Sequence, residues 1–398
     1  MTMTIIEGLV PRLREICGAG NVITDPLELR TYECDGLTSH RSVPALAVLP
    51  GTAEETAAVV ASCAAAGVPF VARGSGTGLS GGALPREDGV LIVMSRMRAI
   101  IEIDPASRRA IIEPGVTNLS VSKAAAPFGL FYAPDPSSQV VCSVGGNVAE
   151  NSGGAHCLKH GFTVHHVTGL QIVTPAGELT WLGDGTGVIT GYDLLGAFTG
   201  SEGTLGIVTK IIVKLMPLPE VVHTLLAAYA TTSEGGQAVS DIIGAGIVPA
   251  AIEMMDALSI EAAEAAVHCG YPEGASAVLL VELDGPAAEV EAELATVRGI
   301  CAAAGPSSST TRTAPAPSGY RQFTAASAAS IASASIISIA PGRMPAPMIA
   351  DTAAPPAPIV VKAASSVVTA SGIGVSFTTI LVTMPSVPSE PVNAPTRS

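Results

Sequence analysis

The chain is short of basic residues: its 398 residues include 20 Lys and Arg against 34 Asp and Glu, giving a net charge of −14. This balance disfavours a broad nucleic-acid-binding surface. The seven cysteines are scattered without a Cys-x-x-Cys pair, which argues against a zinc site or a disulfide framework and suits a reducing cytoplasm. The N-terminus lacks the basic-then-apolar pattern of a secretion signal, so we expect a cytoplasmic protein.

After residue 305 the sequence contains few charged residues and shows no sustained helical or strand period. Residues 306–398 hold five basic and two acidic residues and are dominated by Ala, Ser, Pro and Thr. This composition predicts a low-complexity tail that is disordered or irregular. Residues 363–389 carry no charge, but their many Ser, Thr and Gly residues disfavour a membrane span.

A glycine-rich stretch, VARGSGTGLSGG at residues 71–82, contains five glycines in twelve positions and follows an apolar run predicted as a strand. Glycines permit positive φ, and successive exposed N–H groups form a concavity that binds anions. No lysine ends the stretch, which excludes a P-loop. Residues 76–81 match Gly-x-Gly-x-x-Gly, but the next apolar run, at 90–94, predicts a strand rather than the helix of a dinucleotide fingerprint. The stretch therefore predicts a phosphate or pyrophosphate cradle of another kind.

Three more segments are dense in glycine, proline and small polar residues: residues 133–138, 143–154 and 200–206. Each alone is compatible with a tight turn that binds nothing. Together the four segments predict surfaces around one large ligand, such as a dinucleotide with its phosphates on backbone N–H groups and a planar heterocycle against glycine-lined walls.

Short strands and helices alternate irregularly up to residue 216, which predicts an α+β domain rather than a regular βαβ array. Helices are predicted at 4–16, 53–66, 118–128 and 192–198, hairpins at 100–113 and 167–182, and strands at 44–49, 68–71, 90–94 and 206–215. Pro217 and Pro219 then mark a domain boundary. Three strand–helix pairs follow between 221 and 304, which is typical of a compact α/β or ferredoxin-like unit.

Five segments, ARGSGTGLSGG, YAPDPSS, CSVGGNVAENSGG, HCLKHG and FTGSEGTLGIV, resemble the FAD-linked oxidases with a PCMH-type (vanillyl-alcohol-oxidase-like) flavin fold. Within that family the chain is most similar to the glycolate oxidase D-subunit branch, over about residues 20–304. The resemblance implies an N-terminal helix (1–19), a two-subdomain FAD-binding domain (20–216) and a truncated ferredoxin-like cap (217–305) before the tail (306–398).

The resemblance also implies noncovalent FAD and assigns its contacts by motif match. The segment taking the pyrophosphate matches Arg73, Gly74, Ser75, Gly76, Thr77, Gly78 and Leu79. The segment beside the flavin matches Pro134, Asp135 and Ser138. Positions contacting phosphate and flavin match Gly145, Gly146, Asn147, Ser152 and Gly153. Positions near the adenosine end match Glu202, Gly206 and Ile207.

The activity implied by the resemblance is oxidation of a small 2-hydroxy acid, glycolate or D-lactate, to the 2-oxo acid. The implied partners are a second flavin-domain subunit and an iron–sulfur subunit, which would place the chain in the cytoplasm or, through those partners, at the inner membrane. Two alternatives stay open: a D-lactate or D-2-hydroxyglutarate dehydrogenase of the same superfamily, and a noncatalytic flavin-binding scaffold.

The chain departs from the family in its last third. It lacks the family's His-x-Gly-Asp-Gly-Asn-x-His and Glu-His-Gly-Ile-Gly segments, and no histidine follows His268. We therefore assign no catalytic residue and no metal site, and we expect weak FAD binding and little turnover. His156 and His160 are expected to pack or hydrogen-bond near the cofactor. For residues 306–398, translation in a shifted reading frame is an alternative to a natural tail.

Overall fold

A computed structural model describes residues 2–188, 191–267, 269–305, 308–315, 361–370 and 373–382. The helices are α1 (Thr2–Cys17), α2 (Pro26–Leu29), α3 (Ala53–Ala66), α4 (Asn118–Ala125), α5 (Val144–Glu150), α6 (Cys157–His160), α7 (Leu194–Phe198), α8 (Thr232–Gly244), α9 (Ala257–Val267) and α10 (Ala287–Ala303).

The strands are β1 (Val22–Ile23), β2 (Leu46–Val48), β3 (Phe70–Arg73), β4 (Val90–Val93), β5 (Ile100–Asp104), β6 (Arg109–Ile112), β7 (Leu130–Phe131), β8 (Val167–Val173), β9 (Leu179–Leu182), β10 (Ile207–Lys214), β11 (Met216–Pro217), β12 (Val221–Tyr229), β13 (Ala251–Asp256), β14 (Ala277–Gly285), β15 (Ser308–Pro315), β16 (Val361–Ala370) and β17 (Ile373–Val382).

The first sheet has the order β1-β2-β4-β3, in which β2, β4 and β3 run parallel and β1 is antiparallel. Strand β4 reads Val-Leu-Ile-Val and is buried throughout, as expected for a strand covered on both faces. Helix α3 begins at the cap Thr52 and ends at Gly67, whose φ of 63° is left-handed. Its buried residues Val59, Val60 and Cys63 join those of α1 in one apolar core with this sheet.

The second sheet is antiparallel, with the order β5-β6-β10-β8-β9. Strand β10 is central and nearly all buried, while β9 is an edge strand with Trp181 exposed. Apolar residues of α4, α5 and α7 complete the core beneath this sheet. The two sheets form the two halves of the region that we predicted as one α+β domain, and the glycine-rich loops leave from their ends.

The third sheet forms the cap, with the antiparallel order β13-β14-β12-β15. Helices α8 and α10 bury apolar residues against one face, around Leu225, Tyr229 and Leu279. Helix α9 covers part of the other face, near Ala228 and Val278. The α+β class and the two-part flavin-type fold with a smaller cap agree with the sequence-based prediction. The predicted boundary between the FAD-binding domain and the cap, near residue 217, lies in β11 and stays a prediction.

Three strands differ from the irregular tail that we expected after residue 305. Strand β15 pairs with β12 over its whole length, from Ser308 opposite Ala228 to Pro315 opposite Val221. Strands β16 and β17 pair with each other as a hairpin. All three strands contain Ser or Thr, and Thr suits extended structure. The remaining residues of the expected tail lie outside the described part of the chain.

Candidate functional site

The four glycine-rich segments converge on one cleft of about 940 Å³, part of it open to solvent. Fourteen of the eighteen predicted site residues line it: Arg73, Gly74, Ser75, Gly76, Thr77, Gly78, Ser138, Gly145, Gly146, Asn147, Ser152, Glu202, Gly206 and Ile207. Their assignment to a cofactor remains a prediction, but the structure places them around one space.

The loop after β3 rests on the start of α5. Ser143 caps this helix, because its Oγ accepts a hydrogen bond from the Gly146 N–H at 3.3 Å. A Cβ on Gly74 would collide with that Ser143 oxygen, and a Cβ on Gly145 would lie 2.6 Å from Pro114. Both positions therefore require glycine for the walls of the cleft to meet.

Arg73 is buried, with 8% of its surface exposed, and braces the loop rather than projecting from it. Its guanidinium donates to the carbonyl oxygens of Ala83 at 3.2 Å and Cys34 at 2.8 Å, and it lies 5.8 Å from the ring centroid of Tyr32. Burial lowers its pKa, opposed by Asp35. Arg73 therefore ties both ends of the loop to the segment containing Cys34. This structural role is separate from the predicted phosphate contact, which stays a prediction.

Glu150, at the end of α5, lines the cleft although the sequence analysis did not single it out. Its carboxylate accepts hydrogen bonds from the Ser80 hydroxyl at 2.7 and 2.8 Å. Burial raises its pKa, Ser80 lowers it, and the charges of Glu202 and Asp35 raise it further. The available sequence signal for Glu150 was a glutamate at the end of the VGGNVAE segment, but the glycines of that segment were the stronger signal.

Four predicted site residues lie outside the lining of the cleft. Leu79 packs toward Gly36, and Pro134 accepts a hydrogen bond from the Asn118 amide at 2.9 Å. Gly153 lies against Cys157 and Phe162. Asp135 contacts His156 instead, in a second polar site described next.

A buried polar cluster joins the first 216 residues to the cap; we call it the α6 cluster. It consists of Asp135, His156, Lys159 and His160 on one side and Glu253, Glu282 and Asp284 on the other. The His156 Nδ1 lies 2.6 Å from Asp135 Oδ2, and its Nε2 lies 2.9 Å from Glu282 Oε1. Lys159 Nζ contacts Asp284 Oδ1 at 2.5 Å, and His160 Nε2 lies 3.4 Å from Asp284 Oδ2.

Strand alternation explains how the cap supplies these carboxylates. Glu282 and Asp284 lie two residues apart on β14, and successive side chains point to opposite faces. Leu283 and Val281 face the helices α8 and α10, so Glu282 and Asp284 face the other way, toward α6. Glu253 lies on the neighbouring strand β13, opposite Leu280, on the same face as Glu282.

The electrostatics of the α6 cluster favour ionised pairs. Burial alone would lower the pKa of His156, but Asp135 and Glu282 together raise it well above its ordinary value. Burial would raise the pKa of Asp284, yet His160 and Lys159 lower it to about 2. Glu253 is the exception, since burial and the charges of Asp135 and Glu282, opposed by that of His156, raise its pKa to about 7. Glu253 therefore faces Asp135 and His156 of the larger domain. Asp256 caps α9, accepting a hydrogen bond from the Ser259 N–H.

Two family descriptions match this chain, "FAD binding domain" over residues 44–183 and "FAD linked oxidases, C-terminal domain" over residues 218–379. The chain belongs to the family of FAD-linked oxidases. The second match extends past residue 305 and includes the segments that hold β15, β16 and most of β17.

Among curated proteins, the chain is similar to glycolate oxidase subunit GlcD of Escherichia coli (strain K12), with 50% identity over 293 residues, 74% of this chain and 59% of the relative. It is 40% identical over 298 residues to GlcD of Bacillus subtilis (strain 168), covering 75% and 63%. It is also 36% identical over 214 residues to a D-lactate dehydrogenase of Anaerostipes hadrus, covering 54% and 45%. The chain thus spans less than two thirds of the length of these relatives.

Solved structures show the same fold at low identity. An alkyldihydroxyacetonephosphate synthase matches with a TM-score of 0.70 and 21% identity, covering 82% of this chain and 65% of that one. A p-cresol methylhydroxylase with substrate bound matches with a TM-score of 0.68 and 19% identity, covering 77% and 66%. The PCMH-type fold predicted from the sequence is confirmed. No helix within the described ranges is long and apolar enough to cross a membrane.

The cleft fits the FAD that the family binds. The Asn147 Nδ2 is buried at its wall and has no hydrogen-bond partner among the described residues. A buried donor without an acceptor is uncommon in folded proteins, and a cofactor oxygen would satisfy it. Glycines at 74, 145 and 146 leave the backbone of the wall uncovered, so that a diphosphate could approach the main chain closely. The residues present therefore suit a dinucleotide.

Proposed function

We propose that this chain binds FAD in the glycine-lined cleft and oxidises a small 2-hydroxy acid, glycolate or D-lactate, to the corresponding 2-oxo acid. The observation that carries the proposal is the convergence of four glycine-rich segments on one cleft, in a chain half identical to a glycolate oxidase subunit over 293 residues. The D-lactate dehydrogenase among its relatives supports the same class of substrate.

The protein residues supply binding and orientation in this proposal. The loop from Gly74 to Gly78 offers backbone N–H groups to the diphosphate, and the Asn147 amide donates to a cofactor oxygen. Arg73 holds the loop in shape from behind. When bound, FAD supplies the acceptor for the hydrogen on the substrate's α-carbon, while a base must take the hydroxyl proton.

We further propose that this chain turns over poorly. The family's two histidine-containing segments are absent from its sequence, and no histidine follows His268. A flavin site without those side chains would lack the base and the groups that orient the substrate. On this proposal FAD binds weakly and glycolate bleaches its absorbance slowly or not at all.

Flavin absorbance and fluorescence titration of the purified chain with FAD test the binding proposal directly. Asn147→Ala should weaken FAD binding about tenfold, the order expected for one buried hydrogen bond. Asn21→Ala is the matched control, because the Asn21 amide only donates to Cys17 O at 2.7 Å, far from the cleft lining. A chain that takes up no FAD, or equal affinities for both variants, would contradict the proposal.

Turnover is measured with glycolate and D-lactate and an artificial dye as electron acceptor. Slow or absent reduction with FAD bound is the expected result. Rapid turnover would overturn the proposal that the missing histidines limit this chain, while leaving the binding proposal intact.

Two of the relatives are named as subunits, and we propose that this chain also assembles with other chains. The partners would be a second flavin-domain subunit and an iron–sulfur subunit. Co-purification of both with a tagged chain is the expected result. Binding of partners without substrate oxidation would favour a flavin-binding scaffold instead, and a monomeric chain in their presence would contradict the assembly.

A further inference from the structure

His156 is a buried residue that lies between two carboxylates. Only 3% of its surface is exposed, and the carboxylates on its two sides, Asp135 and Glu282, are 15% and 1% exposed. The first lies in the segment that leads to Ser138 at the cleft, and the second lies on cap strand β14. One imidazole ring therefore connects Asp135, which is 21 residues before it in the chain, to Glu282, which is 126 residues after it.

The geometry determines the protonation state of this ring. An ionised carboxylate only accepts hydrogen bonds, and both ring nitrogens lie within 2.9 Å of a carboxylate oxygen. Both nitrogens must therefore carry hydrogen, unless one carboxyl group is protonated. The other titratable groups that face the ring are Glu253 from β13 and His160 from α6, whose ring is stacked 6.4 Å away. Lys159 and Asp284 form their own pair at the edge of the cluster.

The same cluster reaches the cleft through two backbone segments. The Asp135 side chain and carbonyl lie directly against Gly154, where no side chain would fit. Ser138 and Ser152, a few residues away on these two segments, both line the cleft. A shift of Asp135 would therefore move both segments of the cleft wall together.

We propose that His156 is a positioning residue for the oxidation proposed above: its doubly protonated ring holds Asp135 to Glu282 and so fixes the Ser138 and Ser152 wall of the cleft relative to the cap. The inference rests on the proposed function for its biological meaning. Its structural content, a charged link between two domains, is measurable without any turnover.

The first test is the protonation state of His156 in the full chain, measured by NMR of ¹⁵N-histidine-labelled protein from pH 6 to 8.5. The signal is assigned by its loss in His156→Gln. We expect the His156 ring to remain doubly protonated across this range. A His156 ring that is neutral at pH 7 would overturn the proposal.

The second test measures what the link positions. In His156→Gln, which is neutral and leaves no cation between the two carboxylates, hydrogen exchange should become at least tenfold faster in residues 133–138 and in β14, and FAD should bind about tenfold more weakly. His40→Gln is the matched control and should change neither. His156→Lys should recover part of the protection, because an ammonium group restores a positive charge beside the carboxylates.

Glu282→Gln keeps the test decisive if the His156 variants do not fold. It preserves volume but removes one charge, so the His156 signal should titrate at lower pH than in the parent chain. Unchanged exchange, FAD affinity and titration in the folded variants would refute the link. If the link is present but the parent chain takes up no FAD, the proposed function fails and the inference about His156 does not.

Discussion

Replacing Glu253 by glutamine should stabilise the chain above neutral pH. Glu253 is partly buried on cap strand β13, on the same sheet face as Glu282, and both Glu282 and Asp135 act on it electrostatically. Burial comes first among the causes that raise its pKa from 4.5 to about 7. A glutamine of the same size removes the ionisable group while leaving the packing of β13 in place.

The magnitude follows from linkage. An unfolded glutamate loses its proton near 4.5, whereas the folded Glu253 loses it near 7. The stability that this group contributes is therefore fully present below about 4.5 and is lost as the pH rises through about 7. One pKa unit corresponds to about 1.4 kcal/mol, so the full loss is about 3 kcal/mol.

Urea unfolding of the parent chain and of Glu253→Gln at intervals from pH 5 to 8.5 measures this loss as a difference. The free energies of unfolding should nearly coincide at pH 5, and the variant should be more stable by about 2–3 kcal/mol at pH 8.5. Glu261→Gln, at an exposed position on α9, is the matched control. A difference in the free energy of unfolding that stays constant from pH 5 to 8.5 would refute the electrostatic reasoning. A variant that is less stable than its parent at pH 8.5 would refute it as well.

Three further predictions follow from contacts described above. Asp284→Asn should lower the free energy of unfolding by about 2 kcal/mol at pH 7, because His160 and Lys159 lower the Asp284 pKa from 3.8 to about 2. The effect should shrink as the pH falls through about 2. Urea unfolding at pH 7 and 2.5 measures it, and an equal effect at both pH values would show that the ion pairs are unimportant. Gly74→Ala should abolish FAD uptake, measured by flavin absorbance, since its Cβ would meet Ser143 Oγ; normal uptake would show that the wall can yield. Thr231→Ala should cost about 1 kcal/mol in urea unfolding by removing the cap of α8, whereas Thr232→Ala should cost less.

Elements specified by local signals could be predicted closely from the sequence. Helix α3 was expected and found at 53–66, because Thr52 caps its start with a 3.1 Å bond from Glu55 N–H and Gly67 ends it. The hairpin of β8 and β9 also has its predicted bounds. In these segments the capping residues, turn residues and apolar period all agree, so tertiary contacts had little to alter.

Features that depend on contacts between distant residues could not be found this way. Helix α5 contains Gly145 and Gly146 and looked like a loop, since glycine weakens isolated helices. The helix forms because Ser143 caps it. Its second residue must be glycine, because a side chain at 145 would collide with Pro114. The link between His156 and Glu282 spans 126 residues. Its one sequence signal was the charge at 282 and 284 on alternate positions of the apolar run AVLLVELDG.

The order of strands in the cap has a consequence for synthesis on the ribosome. Strands β12, β13 and β14 are complete by residue 285, whereas their neighbour β15 begins only at Ser308. A nascent chain can thus close three strands early, but one side of β12, with its apolar Val-Val-His-Thr-Leu-Leu sequence, stays unpaired until the fourth arrives. Such an open edge can pair with another molecule, so slow translation between 285 and 308 would favour aggregation of newly made chains.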